Sequence, residues 1–405
     1  NTAGGRRSRA ARKLAPTRRP PYAHAKSPLP EMGTPLSSCP VSREGARRGL
    51  HQTGGHMLST GVLRTGSLEV SDGFEIYFEE HGSSSGIPVV FLHGGPGAGC
   101  NRRMAQLFDP SSYRIILFDQ RGCGKSKRKG VSSAADQLTG NTTWHLVEDL
   151  EALRTHLGIK QWVVTGGSWG TCLALAYASR HTDRVIAMVL RAVFLFRTEE
   201  LEFFCGPGPG ARKALSGRDW ENFVGWLPWA PSTSACSIAA AFRRAALGED
   251  ASLSPSQAVS KWQAWENRLF ATRAPSGIQL PATAEDTTAL ALAPPAAPRR
   301  PWPDLGLGSM QALLTIHYVA ERGFFPPGFE LLDVASTFRF PLKIVHGRGD
   351  CICPLANAED LAAAAPEAEL LETDGGHSQW DPENVDAFVR ATDGVAAAMS
   401  MQVEC

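Results

Sequence analysis

The chain has 405 residues, of which 43% are hydrophobic, and its 41 basic and 40 acidic side chains give a formal net charge of +1. A charge so close to zero provides no general attraction to nucleic acid or to a membrane surface, and no apolar run reaches the roughly 18 residues of a membrane span. The nine cysteines are scattered, and Cys351 and Cys353 lack a zinc-finger spacing, so we expect a soluble protein of a reducing compartment.

The first fifty residues carry eleven Lys or Arg but only two acidic residues, Glu31 and Glu44. Basic, Ser-containing and acid-poor N-termini are typical of organellar transit peptides. A disordered, solvated tail or mistranslated upstream sequence would have the same composition. We therefore predict a basic, disordered extension over residues 1–61, outside the folded domain, of an intracellular protein in the cytoplasm, a plastid or a mitochondrion.

Apolar or alternating segments predict strands, beginning with a hairpin across Asp72-Gly73. The predicted strands are 67–71, 75–80, 88–92, 113–118, 161–165, 184–194, 341–346 and 368–372. Helical patterns alternate with the later strands at 144–157, 171–179, 357–365 and 383–391. Apolar strands that alternate with helices predict a mostly parallel sheet flanked by helices on both faces, which is an α/β fold.

The segment between strand 161–165 and helix 171–179 contains Gly166-x-Ser168-x-Gly170. This motif in a strand–turn–helix context is typical of a nucleophile elbow, a tight turn that lifts a serine hydroxyl above the sheet. The turn is strained, so its neighbouring residues must be small. An ordinary glycine-rich loop between a strand and a helix is the alternative interpretation.

Residues 197–338 differ from the rest, since they contain most of the tryptophans and few strand signals. Helices are predicted there at 219–227, 238–247, 255–270 and 308–321. Within this block, residues 274–303 are dominated by Ala, Pro and Thr and predict a low-complexity, flexible insertion. A helical block between two stretches of sheet predicts a cap over the strand ends of a catalytic domain formed by residues 62–196 and 339–405.

A serine nucleophile requires a general base and a third group that orients the base. Behind a nucleophile elbow, the chain order is serine, acid, histidine. Asp350 and His377 each follow a predicted strand, so both are expected at the same sheet edge as Ser168. Asp374 and Asp381 are alternative acids, although Asp374 stands too close to His377 in sequence to approach it easily.

Stabilising an oxyanion requires backbone N–H donors that are fixed in advance. Trp169, the residue after the nucleophile, is one predicted donor. Gly94 or Gly95, in the glycine-rich loop after strand 88–92, is the other. The same loop could instead cradle a phosphate, but it lacks both a Walker lysine and a Gly-x-Gly-x-x-Gly pattern with an acidic partner.

Six motifs follow one another along the chain: HGGPG at 93–97, FDQRGCGKS at 118–126, NTTW at 141–144, GGSWG at 166–170, GRGD at 347–350 and GHS at 376–378. This set resembles the proline iminopeptidases (prolyl aminopeptidases), which are serine peptidases with the α/β-hydrolase fold. The resemblance covers about residues 63–390. It implies an α/β-hydrolase fold with a helical cap, release of N-terminal proline from peptide substrates, and no metal or cofactor.

The resemblance also implies roles for residues of the cap. Glu266 matches a family carboxylate that receives the ammonium group of the substrate, whereas the pattern of the residues alone would favour a solvated helix glutamate. Thr315 stands where the family has a second glutamate, so we expect the charge compensation to depend mostly on Glu266. Phe203 and Phe204 match the aromatic stretch of the proline pocket.

Two other functions are compatible with the sequence. One is a different hydrolase on this fold, an esterase or amidase that acts on other acyl groups. A serine nucleophile already disfavours the dehalogenase and epoxide hydrolase branches, which use aspartate. The other is a catalytically silent ligand-binding protein on the same scaffold, against which the intact serine, aspartate and histidine argue.

Overall fold

The computed structural model describes residues 62–131, 133–228, 233–272 and 307–403. The predicted extension over residues 1–61 and the predicted insertion over residues 274–303 lie outside the described residues. Among the helices that are described, none is both long enough and apolar enough to span a membrane.

One sheet organises the described part of the chain. Its strands are β1 (Arg64–Glu69), β2 (Phe74–Gly82), β3 (Ile87–Leu92), β4 (Tyr113–Phe118), β5 (Lys127–Arg128), β6 (Trp162–Ser168), β7 (Val185–Val193), β8 (Leu342–Gly347) and β9 (Ala368–Thr373). Their order is β1-β2-β4-β3-β6-β7-β8-β9, with β5 paired to β2. The pairs that involve β2 are antiparallel, and all pairs from β4 to β9 are parallel. The predicted mostly parallel sheet is confirmed.

Both faces of the central strands are covered, which explains why these strands are apolar throughout. Successive side chains of a strand point to opposite faces. Accordingly, Val89 and Val163 belong to one buried cluster, whereas Val90 and Val164 belong to the other.

The helices lie between and beyond the strands. They are α1 (Ala134–Leu138), α2 (Thr143–His156), α3 (Trp169–His181), α4 (Thr198–Cys205), α5 (Gly217–Val224), α6 (Ala235–Ala246), α7 (Pro255–Phe270), α8 (Leu307–Ala320), α9 (Leu331–Ala335), α10 (Leu355–Ala364) and α11 (Pro382–Val403). Short 3₁₀ helices occur at Ser71–Gly73, Arg102–Leu107, Thr182–Arg184, Ala211–Ala214 and Arg322–Phe324. The sequence pattern misses α1, α4 and α9, which have five, eight and five residues and show little of a helical period.

Local signals place several helix ends. The Thr142 side chain accepts a hydrogen bond from the backbone of His145 and caps α2. Ser254 forms a capping box with Gln257, and Pro255 occupies the first turn of α7. Both helices therefore start at a local signal, since capping satisfies backbone donors that the helix leaves unpaired.

Helices α4 to α8, which lie between β7 and β8 in the chain, enclose an aromatic cluster. The Phe223 ring stacks on Trp265 with centroids 4.8 Å apart, and on Phe242 at 5.0 Å. Trp262 meets Phe242 edge-on at 5.2 Å. Large aromatic rings bury much apolar area per residue, and this cluster is continuous with the buried cluster on one face of the sheet.

Candidate active site

Ser168 is the last residue of β6 and directly precedes α3, with φ 56° and ψ −123°. A non-glycine residue with positive φ is strained, as the turn of a nucleophile elbow requires. A Cβ atom at Gly166 would lie 2.8 Å from the carbonyl oxygen of Gly170, and one at Gly170 would clash with the carbonyl of Leu92. Close backbone approach therefore requires both glycines of the motif.

His377 and Asp350 form a hydrogen bond of 2.8 Å between Nδ1 and Oδ2. Because an ionised carboxylate only accepts hydrogen bonds, Nδ1 carries the proton. Nε2 is then available to act as the general base. The other carboxylate oxygen accepts the backbone N–H groups of Ile352 and Cys353, each at 2.8 Å. Burial by itself would raise the pKa of Asp350, but the interactions with His377, with a second histidine and with the Cys353 N–H outweigh it and lower this pKa below its ordinary value.

The two alternative acids lie elsewhere. Asp374 is exposed and forms an ion pair with Arg348 at 3.0 Å. Asp381 accepts a hydrogen bond of 2.6 Å from the backbone of Gly376. The structure thus brings Asp350 into a hydrogen bond with the imidazole of His377, whereas Asp374 pairs with Arg348 and Asp381 accepts from the Gly376 backbone.

The nucleophile and the acid–base pair meet beside a buried thiol. The Ser168 hydroxyl is close enough to Cys353 to lower the pKa of its thiol in part, although burial raises that pKa overall. Donor atoms of Cys353, Asp350 and His377 all lie within 4.8 Å of one another. Within the described residues, no direct hydrogen bond joins the Ser168 hydroxyl to His377. This bond is often long without substrate and tightens in the Michaelis complex.

The same three donor groups, Asp350, Cys353 and His377, are close enough to hold a metal ion. Burial raises the pKa of the Cys353 thiol well above its ordinary value, which keeps the thiol protonated, and a metal would compete with the imidazole–carboxylate bond. The arrangement therefore fits acid–base chemistry better than metal binding.

The predicted oxyanion loop lies against the nucleophile. A Cβ atom at Gly94 would stand 3.5 Å from Cβ of Ser168, and one at Gly95, where φ is +114°, would stand 2.5 Å from the nitrogen of Gly97. Trp169 begins α3 directly after Ser168. The backbone of this loop and the backbone of Trp169 thus border the serine, which is the placement that an oxyanion hole requires.

Gln120 connects the two halves of this region, and sequence reasoning assigned it no role. Its amide nitrogen donates to the carbonyl oxygen of His93 at 2.9 Å, and its amide oxygen accepts from the Trp169 indole at 2.8 Å. Because Gln120 is buried, these bonds are shielded from water and hold the loop and the start of α3 in register. The sequence signal that could have identified Gln120 is its place in the motif at 118–126.

Arg191 and His346 hold the loops of the acid–base pair. The Arg191 guanidinium donates to the backbone carbonyl of His377 at 2.6 Å and fills the space beside Gly167. The His346 imidazole binds the carbonyl of Cys353 at 2.9 Å. Burial lowers the pKa of Arg191 from its usual value. A cation in an otherwise apolar strand was the signal that could have identified Arg191.

Glu266 lies on α7 and is only partly exposed. Its Oε1 accepts a hydrogen bond of 3.1 Å from the Trp262 indole. Burial raises the pKa of Glu266 to about 7, although Trp262 and the Thr315 hydroxyl offset part of the rise. In the part of the chain that the structure describes, no cationic side chain pairs with this carboxylate. Glu266 is therefore a half-buried acid with a raised pKa rather than a fully solvated one, and such a carboxylate suits a cationic ligand.

The two predicted pocket phenylalanines lie in different surroundings. Phe204 is buried, its ring meets Trp262 at 6.2 Å, and its carbonyl accepts the Trp265 indole N–H at 3.1 Å. Phe203 is half-buried and makes no ring contact with any described residue. The structure thus brings Phe204 to the helix that carries Glu266, and Phe203 packs at the margin of the same apolar cluster.

Helix α7 also reaches the acid–base pair. Its last residue, Phe270, places its ring 5.6 Å from the His377 ring. Glu266 lies four residues earlier, on the same face of the helix. The sequence did not indicate this contact, because the two rings are 107 positions apart in the chain.

Comparisons with known proteins agree with this geometry. A family model described as the alpha/beta hydrolase fold matches residues 87–381. A proline iminopeptidase of Xanthomonas citri is 41% identical over 333 residues, which cover 82% of this chain and 96% of that protein. A proline iminopeptidase of Arabidopsis thaliana is 37% identical over 337 residues, which cover 83% of this chain and 80% of that protein. The solved proline iminopeptidase of Mycobacterium smegmatis has a TM-score of 0.52 at 18% identity, covering 83% of this chain and 100% of that one, which shows the fold.

Proposed function

Since the chain belongs to the proline iminopeptidase family of α/β-hydrolases, we propose that it is a serine aminopeptidase that releases N-terminal proline from peptides through an acyl-enzyme. The observation that carries the proposal is the buried carboxylate of Glu266, on a helix whose last residue contacts the ring of His377. A serine hydrolase of neutral acyl groups has no need of such a carboxylate.

In the proposed acylation, the Ser168 oxygen attacks the carbonyl carbon of the N-terminal proline while its proton passes to Nε2 of His377. The carbonyl electrons move to the oxygen, which accepts backbone N–H bonds from Trp169 and from Gly94 or Gly95. The carbon–nitrogen bond then breaks, and the leaving nitrogen takes the proton from Nε2. A prolyl ester on Ser168 remains.

Deacylation repeats these steps with water as the nucleophile. Nε2 of His377 takes a proton from the water, whose oxygen attacks the ester carbon, and then returns it to the Ser168 oxygen as the ester bond breaks. Free proline leaves and the serine is restored. Asp350 stays ionised and stabilises the imidazolium in both halves, as its lowered pKa allows.

Recognition of the free N-terminus is assigned to the helical block. We propose that residues 197–338, which contain α4 to α8, form the cap over the strand ends that the sequence predicts. Enclosing a cationic imino group removes its water, which costs several kcal/mol unless a carboxylate is near. Glu266 supplies that charge, Thr315 supplies none, and Phe204 beside Trp262 adds apolar surface for the proline ring.

A panel of aminoacyl-arylamides tests the proposal, together with an N-acetylated proline arylamide and a simple ester. We expect the Pro-arylamide to have the highest kcat/KM and N-acetylation to abolish most of it. Preference for the neutral ester would instead indicate the esterase alternative. Failure of a fluorophosphonate probe to label Ser168 would indicate a silent ligand-binding protein.

A further inference from the structure

Phe270 is an exposed aromatic ring beside a buried catalytic histidine. It is 51% exposed, one of the few large apolar side chains in the described residues to be so, whereas His377 is 5% exposed. The two rings meet edge-on at 5.6 Å and 80°. The Phe270 ring therefore lies on the solvent side of the imidazole, and water covers the rest of its surface.

The catalytic role of His377 determines which part of the substrate lies next to the Phe270 ring. Nδ1 is occupied by Asp350, so Nε2 must serve both the nucleophile and the leaving nitrogen. A general acid must come within about 3 Å of the nitrogen that it protonates. This nitrogen belongs to the second residue of the substrate, whose side chain begins two bonds from it. That side chain extends from His377 towards solvent, which is where the Phe270 ring lies.

The spacing along α7 agrees with this placement. Glu266 and Phe270 are four residues apart on one helix face, about 6 Å along the axis. In an extended peptide, the N-terminal nitrogen and the Cα of the second residue are about 5 Å apart. A substrate whose imino group meets Glu266 can therefore present its second residue to Phe270.

We propose that Phe270 contacts the first residue of the leaving peptide and makes this enzyme prefer peptides with an apolar, above all aromatic, second residue. The inference depends on the proposed function, because it assigns the leaving-group side of the same site. The ring offers apolar surface that is now hydrated, and covering it with another apolar side chain is favourable. A glycine at the second position gains nothing from the contact.

The test compares kcat/KM for Pro-Phe-amide, Pro-Leu-amide and Pro-Gly-amide in wild type, Phe270→Ala, Phe270→Tyr and Leu63→Ala. We expect wild type to favour Pro-Phe-amide over Pro-Gly-amide by about 10-fold, the order expected for an aromatic contact plus its buried area. Phe270→Ala should reduce this ratio to about 2 or less, because it should lower kcat/KM for Pro-Phe-amide far more than that for Pro-Gly-amide. Phe270→Tyr keeps the ring and should keep the ratio.

Leu63→Ala is the matched control, because Leu63 is 53% exposed but precedes β1, at the opposite edge of the sheet from β9. It should leave every ratio unchanged. A flat wild-type profile overturns the inference, and so does an equal loss on all three amides in Phe270→Ala, which would mark a structural residue. Wild type that cleaves simple esters but none of the proline amides would overturn the proposed function itself, and the inference with it.

Discussion

Replacing Glu266 with Gln tests how the enzyme distinguishes a cationic substrate from a neutral one. Glutamine has nearly the same shape and keeps an oxygen that can accept the Trp262 indole N–H, now 3.1 Å from Oε1. The substitution therefore removes the negative charge while preserving the surroundings. Only interactions that require this charge should change.

The magnitude follows from the environment of the carboxyl group. With a pKa of about 7, Glu266 ionises readily near neutral pH, so its ionisation costs little there compared with the ion pair that it would form. Breaking a buried ion pair by removing one partner costs about 3–5 kcal/mol. At about 1.4 kcal/mol per tenfold change, we expect kcat/KM for Pro-arylamide to fall about 10²- to 10³-fold, and that for a neutral ester to change little.

The pH dependence has a definite sign. The ionised form of Glu266 binds the ammonium group, so the ratio of kcat/KM for Pro-arylamide to that for the neutral ester should rise as pH increases through about 7. Ionisation of the triad affects both substrates and cancels in this ratio. Below about pH 7 the ratio should fall as Glu266 is protonated, and above about pH 8 it should fall again as the imino group of the substrate loses its proton. In Glu266→Gln the ratio should be flat.

The pH dependence of folding stability provides an independent test of the raised pKa of Glu266. Because the folded-state pKa of Glu266 lies above the ordinary value of 4.5, the folded protein binds more protons between about pH 4.5 and pH 7, and this group's contribution to stability falls as pH rises through that window. Glu266→Gln should therefore gain stability relative to wild type above pH 7. Equal kinetic losses on both substrates would refute the assignment and show that Glu266 supports the fold.

The remaining predictions concern the catalytic centre. Ser168→Ala should lower kcat by several orders of magnitude, because the members of a triad act as a unit. Asp350→Asn should lower kcat on the order of 10⁴-fold by favouring the wrong histidine tautomer, whereas Asp374→Asn, at an exposed site paired with arginine, should cost far less. Gln120→Met should lower kcat about 10- to 100-fold with little change in KM, because Trp169 loses its tie to the oxyanion loop.

Steady-state kinetics and circular dichroism together check these three predictions. Activity above a few per cent in Ser168→Ala, in a protein free of wild type, would contradict the mechanism. A greater loss in Asp374→Asn than in Asp350→Asn would mean that the acid is misassigned. For Gln120→Met, a raised KM with unchanged kcat would place the effect on substrate binding instead of on the oxyanion.

Much of the fold was predictable from the sequence, because its determinants are local. The apolar strands depend on side-chain period, and the helix start at Thr142 depends on backbone donors a few residues away. The nucleophile turn is equally local, since Gly166 and Gly170 are required by atoms that the strand–turn–helix itself brings together. The five-residue helices α1 and α9 escaped prediction, because so few residues show no helical period.

Tertiary structure alone determines which groups meet across the sheet edge. The sequence left three aspartates as partners of His377, and the parallel pairing of β8 with β9 brings Asp350 to its imidazole. The tertiary structure also removes much of the Glu266 side chain from solvent and raises its pKa, whereas the pattern of the residues alone favours a solvated glutamate. Phe270 reaches His377 from a helix far away in the chain. No local period encodes such contacts, because they depend on where whole strands and helices end relative to one another.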